Sequence, residues 1–197
     1  MRSIAHLTAL LLAIAAFSAG ANEVEVRAAS LEAVEEGLVL NADFSFTLSQ
    51  RLEEIVANGV PLYFRVEFEM TRPRWYWFDE KAVSTQMQLR LSYHALSRNY
   101  RLSTGLLQQN FTTLEEALNV LKRVRNWLVV DRTVTFSDAD YDAAVRLRLD
   151  AGMLPRPFQL SALTSRDLQL ETAWRRFSVR PAQLPAPVES RSPKGAR

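Results

Sequence analysis

Two glutamates and one histidine are the residues best suited to acid–base chemistry. Glu67 and Glu69 alternate with apolar residues, so both carboxyl groups face the same side of a predicted strand. Such a pair can act as acid and base in glycoside hydrolysis, and His94 would be the base of any Ser–His–acid mechanism. Charges on a solvated strand face explain the same pattern without catalysis. We therefore expect a non-enzymatic protein, with an enzyme using Glu67, Glu69 or His94 as the alternative.

The remaining residue types exclude several other kinds of site. The six glycines are too widely spaced for a phosphate-binding loop or a dinucleotide fingerprint. With no cysteine there is no disulfide, thiolate metal site or cysteine nucleophile. Aspartates at 138, 140 and 142 begin like a calcium loop, but Ala143 and Leu149 then replace the required glycine and carboxylate. We expect neither a metal nor a cofactor.

The segment from Arg72 to Lys81 is the most unusual in composition, with the sequence RPRWYWFDEK. Pro73 indicates a strand end or edge, and four consecutive aromatic residues follow shortly after it. If exposed, the segment offers arginine anchors and a large apolar area to a partner; if buried, its tryptophans cap the core. The candidate partner patch comprises Arg72, Arg74, Trp75, Tyr76, Trp77 and Phe78.

Five arginines lie on the polar faces of predicted strands, opposite apolar runs. If the strand order brings them together, they form a candidate anion-binding site. If acidic neighbours such as Glu67 and Asp150 lie between them, they form an ordinary salt-bridged surface, which we favour. The five are Arg65, Arg90, Arg101, Arg146 and Arg148.

An antiparallel sheet would position these residues. Apolar and polar residues alternate over 38–48, 62–71 and 83–95, and further candidate strands are 24–28, 100–106, 127–135, 141–149 and 168–179. Helices are predicted over 50–57, capped by Ser49, and over 114–125, with capping boxes at Thr112 and Thr113. We expect a mainly β fold, with α+β as the alternative. It would be an antiparallel β-sandwich or strongly curved sheet of about seven to eight strands with two short covering helices.

The N-terminus has the pattern of a secretory signal peptide. Arg2 precedes an apolar run over 7–17, and Ala19-Gly20-Ala21 follows as a cleavage site. The run is too short to span the roughly 30 Å hydrocarbon core, and no later stretch is a transmembrane candidate. We expect a signal peptide at 1–21, one β-rich domain at 22–183 and a disordered, Pro-rich basic tail at 184–197. The mature protein would be periplasmic.

The charge distribution argues against nucleic acid as a partner. The formal net charge is +2, but the surplus cations lie in residues 1–21 and 184–197, so the body of the chain is nearly neutral. A nucleic-acid-binding domain would instead concentrate cations on its folded surface.

Five short motifs and the N-terminal signal make the chain similar to a known family. The motifs are 58–62 (NGVPL), 72–77 (RPRWYW), 91–96 (LSYHAL), 145–150 (VRLRLD) and 154–157 (LPRP). Together they resemble a family of proteobacterial exported proteins defined as a domain of unknown function, the 4390 type, over about residues 24–179. The resemblance implies a Gram-negative envelope protein, often encoded near a nitrogen-regulation-type sensor kinase. It supplies no catalytic or ligand-binding residues.

These observations favour a soluble periplasmic protein that acts as a binding, accessory or sensory module of the cell envelope. The candidate partner is an envelope or inner-membrane protein such as a sensor kinase. One alternative is an enzyme acting on envelope carbohydrate or peptide. Another is a carrier of a small apolar ligand or lipid, which would need an empty cavity lined by Phe44, Phe46, Phe64 and Phe68.

Overall fold

The computed structural model describes residues 24–72 and 80–184, which form nine strands and three α-helices. In chain order these elements are β1 (Glu25–Val34), β2 (Gly37–Ser45), α1 (Gln50–Ala57), β3 (Leu62–Arg72), β4 (Glu80–His94), β5 (Asn99–Thr104), β6 (Leu107–Phe111), α2 (Leu114–Leu121), β7 (Arg123–Asp131), β8 (Tyr141–Leu149), α3 (Arg156–Thr164) and β9 (Arg175–Val179). Short 3-10 turns cover Ala151–Met153, Arg166–Leu168 and Pro181–Gln183. None of the helices in the described ranges is long and apolar enough to cross a membrane.

The strands form two antiparallel sheets, which confirms the predicted mainly β fold. The smaller sheet has the strand order β1-β2-β7, and the larger has the order β6-β5-β4-β3-β8-β9. Side chains from both sheets enter one hydrophobic core. The rings of Phe46, which follows β2, and Phe64 on β3 stack with their centroids 6.0 Å apart. The sheets therefore pack face to face as a sandwich.

The central strands β3 and β8 show why the alternating pattern produces this arrangement. Every second residue of each strand is buried, and the residues between them lie on the outer face of the larger sheet. Each fully buried large apolar side chain contributes about 1.5–3 kcal/mol to stability. On β3 the buried residues are Leu62, Phe64, Val66, Phe68 and Met70.

Side-chain caps begin the two predicted helices. The Oγ of Ser49 accepts a hydrogen bond from the Leu52 amide at the start of α1. Thr113 and Glu116 form a reciprocal capping box at the start of α2. This helix ends at Leu121 and not at 125, because the Lys122 carbonyl accepts from the Phe44 amide and the chain then enters β7.

Several elements differ from the sequence prediction. Strand β1 continues to Val34, beyond the predicted 24–28, and β7 covers Arg123–Asp131 where a strand was predicted at 127–135. Helix α3 was not among the predicted elements; Pro155 is its N-cap residue, and Pro157 lies in its first turn, where proline is tolerated. The predicted strand at 100–106 ends in a turn at Gly105, with φ of +57°, and the chain returns as β6. The predicted strand at 168–179 is paired continuously only over β9.

The smaller, three-stranded sheet does not cover the whole inner face of the larger, six-stranded sheet. Strand β7 is the last strand of the smaller sheet, and the larger sheet continues beyond it as β5 and β6. On the inner face of β4, Leu91 is fully buried whereas Val83 and Met87 are only half-buried. The sandwich is therefore open along β7.

Candidate functional site

An apolar groove occupies the open side of the sandwich. It lies between β7 and the inner face of β4, β5 and β6, with the end of α2 as one wall, and its volume is about 370 Å³. We call it the β7 groove. Its lining residues are Met87, Leu89, Leu102, Thr104, Leu107, Gln109, Val120, Leu121, Val124, Trp127 and Leu128, with Arg123, Arg125 and Asn126.

Large apolar side chains at the rim of the β7 groove are exposed to solvent. Leu107 is 73% exposed, Leu128 is 42% exposed and Val120 is 39% exposed. The floor beneath them contains the buried Leu89 and Leu102. Single exposed leucines scattered over a surface are common, whereas exposed apolar side chains grouped around a buried apolar floor are typical of a binding surface.

A bulge in β7 shapes one wall of the groove. Its pairing with β2 shifts register between Leu40 and Ala42, and Asn126 has a left-handed backbone with φ of +50°. The Asn126 amide donates to Asn41 Oδ1 at 3.0 Å, and the Arg125 guanidinium donates to the carbonyls of Ala42 and Val124. Bulges of this kind redirect side chains next to binding sites.

A second cavity adjoins the groove and is basic. Its volume is about 580 Å³, and it shares Arg123 and Arg125 with the β7 groove. We call it the basic pocket. Its other lining residues are Arg27, Ala28, Asp43, Phe44, Ser45, Phe46, Thr47, Asn119 and Lys122.

The four cations of the basic pocket are unequally neutralised. Arg125 forms an ion pair with Asp43, and Arg27 lies 3.5 Å from the carboxylate of Glu25. Lys122 lies over the ring of Phe46, with its Nζ 5.1 Å from the centroid. Burial and the neighbouring charge of Arg27 lower the pKa of Lys122, although Glu115 partly opposes this shift.

The predicted arginine site lies elsewhere, on the outer face of the larger sheet, and three of its five members gather there. The carboxylate of Glu67 accepts from Arg146 Nε at 2.7 Å and from Arg148 Nε at 2.8 Å. Arg65 pairs with Asp150, and Arg146 also pairs with Glu171. These three arginines are therefore already paired with acidic side chains. Anion binding by the five predicted arginines stays a prediction.

The other two predicted arginines lie apart from this cluster. Arg90 faces the ring of Tyr63, 5.9 Å from its centroid. Arg101 donates to Asn110 Oδ1 on the neighbouring strand at 3.2 Å. Neither contributes to the ion pairs around Glu67.

The candidate acid–base residues are divided between two places. Glu67 and Glu69 line a shallow cavity of about 390 Å³ with Ser84, Thr85 and Gln86. His94 is exposed at the end of β4, where its Nδ1 lies 3.1 Å from Ser97 Oγ. Glu67 pairs in register with Gln86, eight residues from His94, which corresponds to about 26 Å along the strand.

Ion pairs determine the protonation of Glu67. Burial alone would raise the pKa of its carboxyl group, but the hydrogen bonds and charges of Arg146 and Arg148 outweigh burial and lower the pKa overall. A carboxyl group with a lowered pKa stays ionised near neutral pH and is a poor proton donor. Across residues 24–72 and 80–184, no three His, Asp or Glu side chains form a group that could hold a metal.

Two further predictions from the sequence, the carrier cavity and the candidate partner patch, can be compared with the structure. The four phenylalanines proposed to line a carrier cavity, Phe44, Phe46, Phe64 and Phe68, are at most 4% exposed and belong to the packed core. Of the candidate partner patch, Arg72 is half-buried at the end of β3 opposite Glu80, and residues 74–78 lie outside the described residues.

Sequence reasoning did not identify the β7 groove or the basic pocket. The helix predicted over 114–125 included the run Lys122-Arg123-Val124-Arg125 as its last turn. Its alternation of arginine and valine was the available strand signal, since Arg123 and Arg125 are exposed and Val124 is buried on β7. The apolar pair at 106 and 107, next to Gly105, was the signal for the exposed rim.

The fold and these cavities define a two-sheet antiparallel sandwich with one open, apolar side. The chain belongs to the family described as domain of unknown function DUF4390, whose model matches residues 21–178. No curated protein and no solved structure shows significant similarity to the chain.

Proposed function

We propose that this chain is a non-enzymatic binding module of the cell envelope, exported to the periplasm by its N-terminal signal. In this proposal the β7 groove binds an apolar group of the ligand. The observation that carries it is the combination of the exposed Leu107 and Leu128 with the buried apolar floor beneath them. An accessory or sensory role in the envelope is part of the same proposal.

The size of the groove supports ligand binding. Its volume of about 370 Å³ lies in the range of small-molecule sites, roughly 300–1,000 Å³. Filling it would remove the apolar surface of Leu107, Leu128 and Val120 from water, at about 25 cal/mol per Å². The rim and floor thus provide the driving force for an apolar ligand.

The placement of the acid–base residues supports binding over catalysis. The carboxylate of Glu67 is held by two arginines, and His94 lies about 26 Å further along the sheet. None of the described residues that line the β7 groove is acidic. The groove therefore offers an apolar surface and cations but no pair of groups for proton transfer.

Binding of a neutral apolar fluorophore, N-phenyl-1-naphthylamine, tests the proposal. We expect saturable fluorescence enhancement with the wild type, and about tenfold weaker binding for Leu107→Glu, since a charge then replaces the exposed rim leucine. Leu160→Glu is the matched control, because Leu160 is 71% exposed but lies on α3 outside the groove. Absence of saturable binding, or equal losses in the two variants, would contradict a ligand site in the β7 groove.

A further inference from the structure

We infer that the ligand of the β7 groove is a single-chain anionic amphiphile, with its hydrocarbon chain in the groove and its anionic headgroup in the basic pocket. The inference rests on the proposed function and specifies the class of ligand. Three observations carry it: the two arginines that the cavities share, the charge of the basic pocket and the irregular edge of β7.

The two cavities share two arginines of β7. Arg123 and Arg125 line both of them, and Leu128 lies at the apolar end of the same strand. The five-residue separation between Arg123 and Leu128 corresponds to at most about 16 Å along β7. A ligand that reaches both ends is therefore long and narrow, with a polar group at one end.

The basic pocket favours an anion. Among the described residues that line it, four are cations and one, Asp43, is acidic. Asp43 is paired with Arg125, Glu25 is paired with Arg27, and Glu115 acts on the charge of Lys122. Arg123 lies opposite Asp43 across the β2–β7 pair but forms no ion pair within the described part of the chain. A headgroup with negative charge would complete the neutralisation of Arg123 and Lys122.

The surroundings of Lys122 suit an anionic partner. Its pKa is lowered by burial and by Arg27, so its charged form lacks sufficient compensation. A bound anion would favour the charged ammonium group and raise that pKa.

The edge of β7 is poorly prepared for an extended peptide. Strand addition uses free main-chain donors and acceptors along a regular edge. The register of β7 with β2 shifts at two places and Asn126 has a left-handed backbone, so β7 does not offer a regular edge to an added strand. The opposite wall presents side-chain carbon atoms of Met87 and Leu102, which suit a hydrocarbon chain.

Displacement of N-phenyl-1-naphthylamine by matched amphiphiles tests the inference. Dodecanoate, dodecyl phosphate and neutral dodecanol share one chain and differ in the headgroup, and inorganic phosphate supplies an anion without a chain. We expect both anionic amphiphiles to displace the probe at about tenfold lower concentration than dodecanol, because a charge-assisted contact contributes more than a neutral one. Comparison of the two anions shows whether carboxylate or phosphate is preferred, and inorganic phosphate should not displace the probe.

Two arginine variants locate the headgroup. In Arg123→Gln the advantage of the anions over dodecanol should fall by about five- to tenfold, and added salt should reduce it in the wild type. Arg101→Gln is the control, because Arg101 lines neither cavity and donates to Asn110 on the neighbouring strand. Both variants should retain binding of the neutral probe.

The possible failures are distinguishable. Equal displacement by dodecanoate and dodecanol, or an anion advantage that survives Arg123→Gln, overturns the inference while probe binding upholds the groove as a site. If none of the three amphiphiles displaces the probe while probe binding is intact, the inference is also overturned. Loss of probe binding itself contradicts the proposed function.

Discussion

At the scale of single residues, Glu67 is the centre of the polar network on the outer face of the larger sheet. Its carboxylate joins Arg146 and Arg148, and Arg146 also lies over the ring of Trp174, 4.5 Å from the ring centroid. The side chain of Glu67 is only 14% exposed, so solvent screens these contacts less than at an open surface. The negative charge of the Glu67 carboxylate therefore compensates the positive charges of two neighbouring arginines.

Replacing Glu67 with glutamine should destabilise the fold. Glu67→Gln keeps the shape but removes the charge shared by Arg146 and Arg148, so we expect the free energy of unfolding to fall by about 1–3 kcal/mol. Urea denaturation at neutral pH measures the change. Glu35→Gln, at the exposed turn between β1 and β2, is the control and should stay within about 0.5 kcal/mol of the wild type. Equal stabilities of wild type and Glu67→Gln would show that the network contributes nothing.

The same carboxyl group makes stability depend on acid. Because the folded-state pKa of Glu67 is lowered, its contribution is complete above the unfolded-state pKa and is lost as pH falls through the folded-state value. The difference in unfolding free energy between wild type and Glu67→Gln should therefore shrink as pH falls from about 5 to about 3. Denaturation series across this range measure the difference, and a constant difference would contradict the assignment.

At the scale of elements, the bulge in β7 determines the shape of the groove wall. Asn126 has φ of +50°, a left-handed backbone that asparagine and glycine adopt most readily. The alternating pattern of a regular strand would instead continue Arg123, Val124 and Arg125 without interruption. Asn126 is therefore one of the irregular positions of this edge strand, whose register with β2 also shifts between Leu38 and Val39.

Substitution at Asn126 separates backbone from side-chain effects. Asn126→Val should destabilise the protein by about 1–2 kcal/mol, because a β-branched residue resists the left-handed conformation, whereas Asn126→Gly should change stability much less. Thermal or urea unfolding of both variants measures this. If Val and Gly prove equally tolerated, the bulge is not held in the left-handed conformation.

Elements with a strong local pattern were predictable from sequence, and irregular ones were not. Strands β3 and β8 alternate buried and polar residues along their length, so the period of two identified them. The end of α2 and the start of β7 could not be separated, since Lys122 to Arg125 suits either a helix end or a strand. A tertiary hydrogen bond between Phe44 and Lys122 settles that boundary.

At the scale of the whole molecule, the candidate site arises from unequal sheets. A six-stranded sheet faces a three-stranded one, and the uncovered inner face becomes the β7 groove. No local pattern encodes this, because it depends on strand order and on which strand ends each sheet. The sequence therefore indicated the fold class and the position of the arginines on polar strand faces. It did not indicate the β7 groove or the basic pocket.

Ligand binding to this site should stabilise the whole fold. A ligand that binds only the folded state at about 100 times its Kd adds about 2.7 kcal/mol to the free energy of unfolding. We expect dodecanoate to raise the wild-type Tm by several degrees, and to raise that of Arg123→Gln less at the same concentration. Differential scanning fluorimetry with an unliganded reference measures both shifts. An identical shift in the two proteins would place the headgroup away from Arg123.

The two outer strands of the larger sheet also limit unwanted association. Strands β6 and β9 are each five residues long, β6 carries Gln108, Gln109 and Asn110, and β9 begins with the exposed pair Arg175 and Arg176. Short edges with amide or charged side chains are poor templates for pairing with another chain. The larger sheet is thereby protected at both edges against edge-to-edge polymerisation with other copies of the chain.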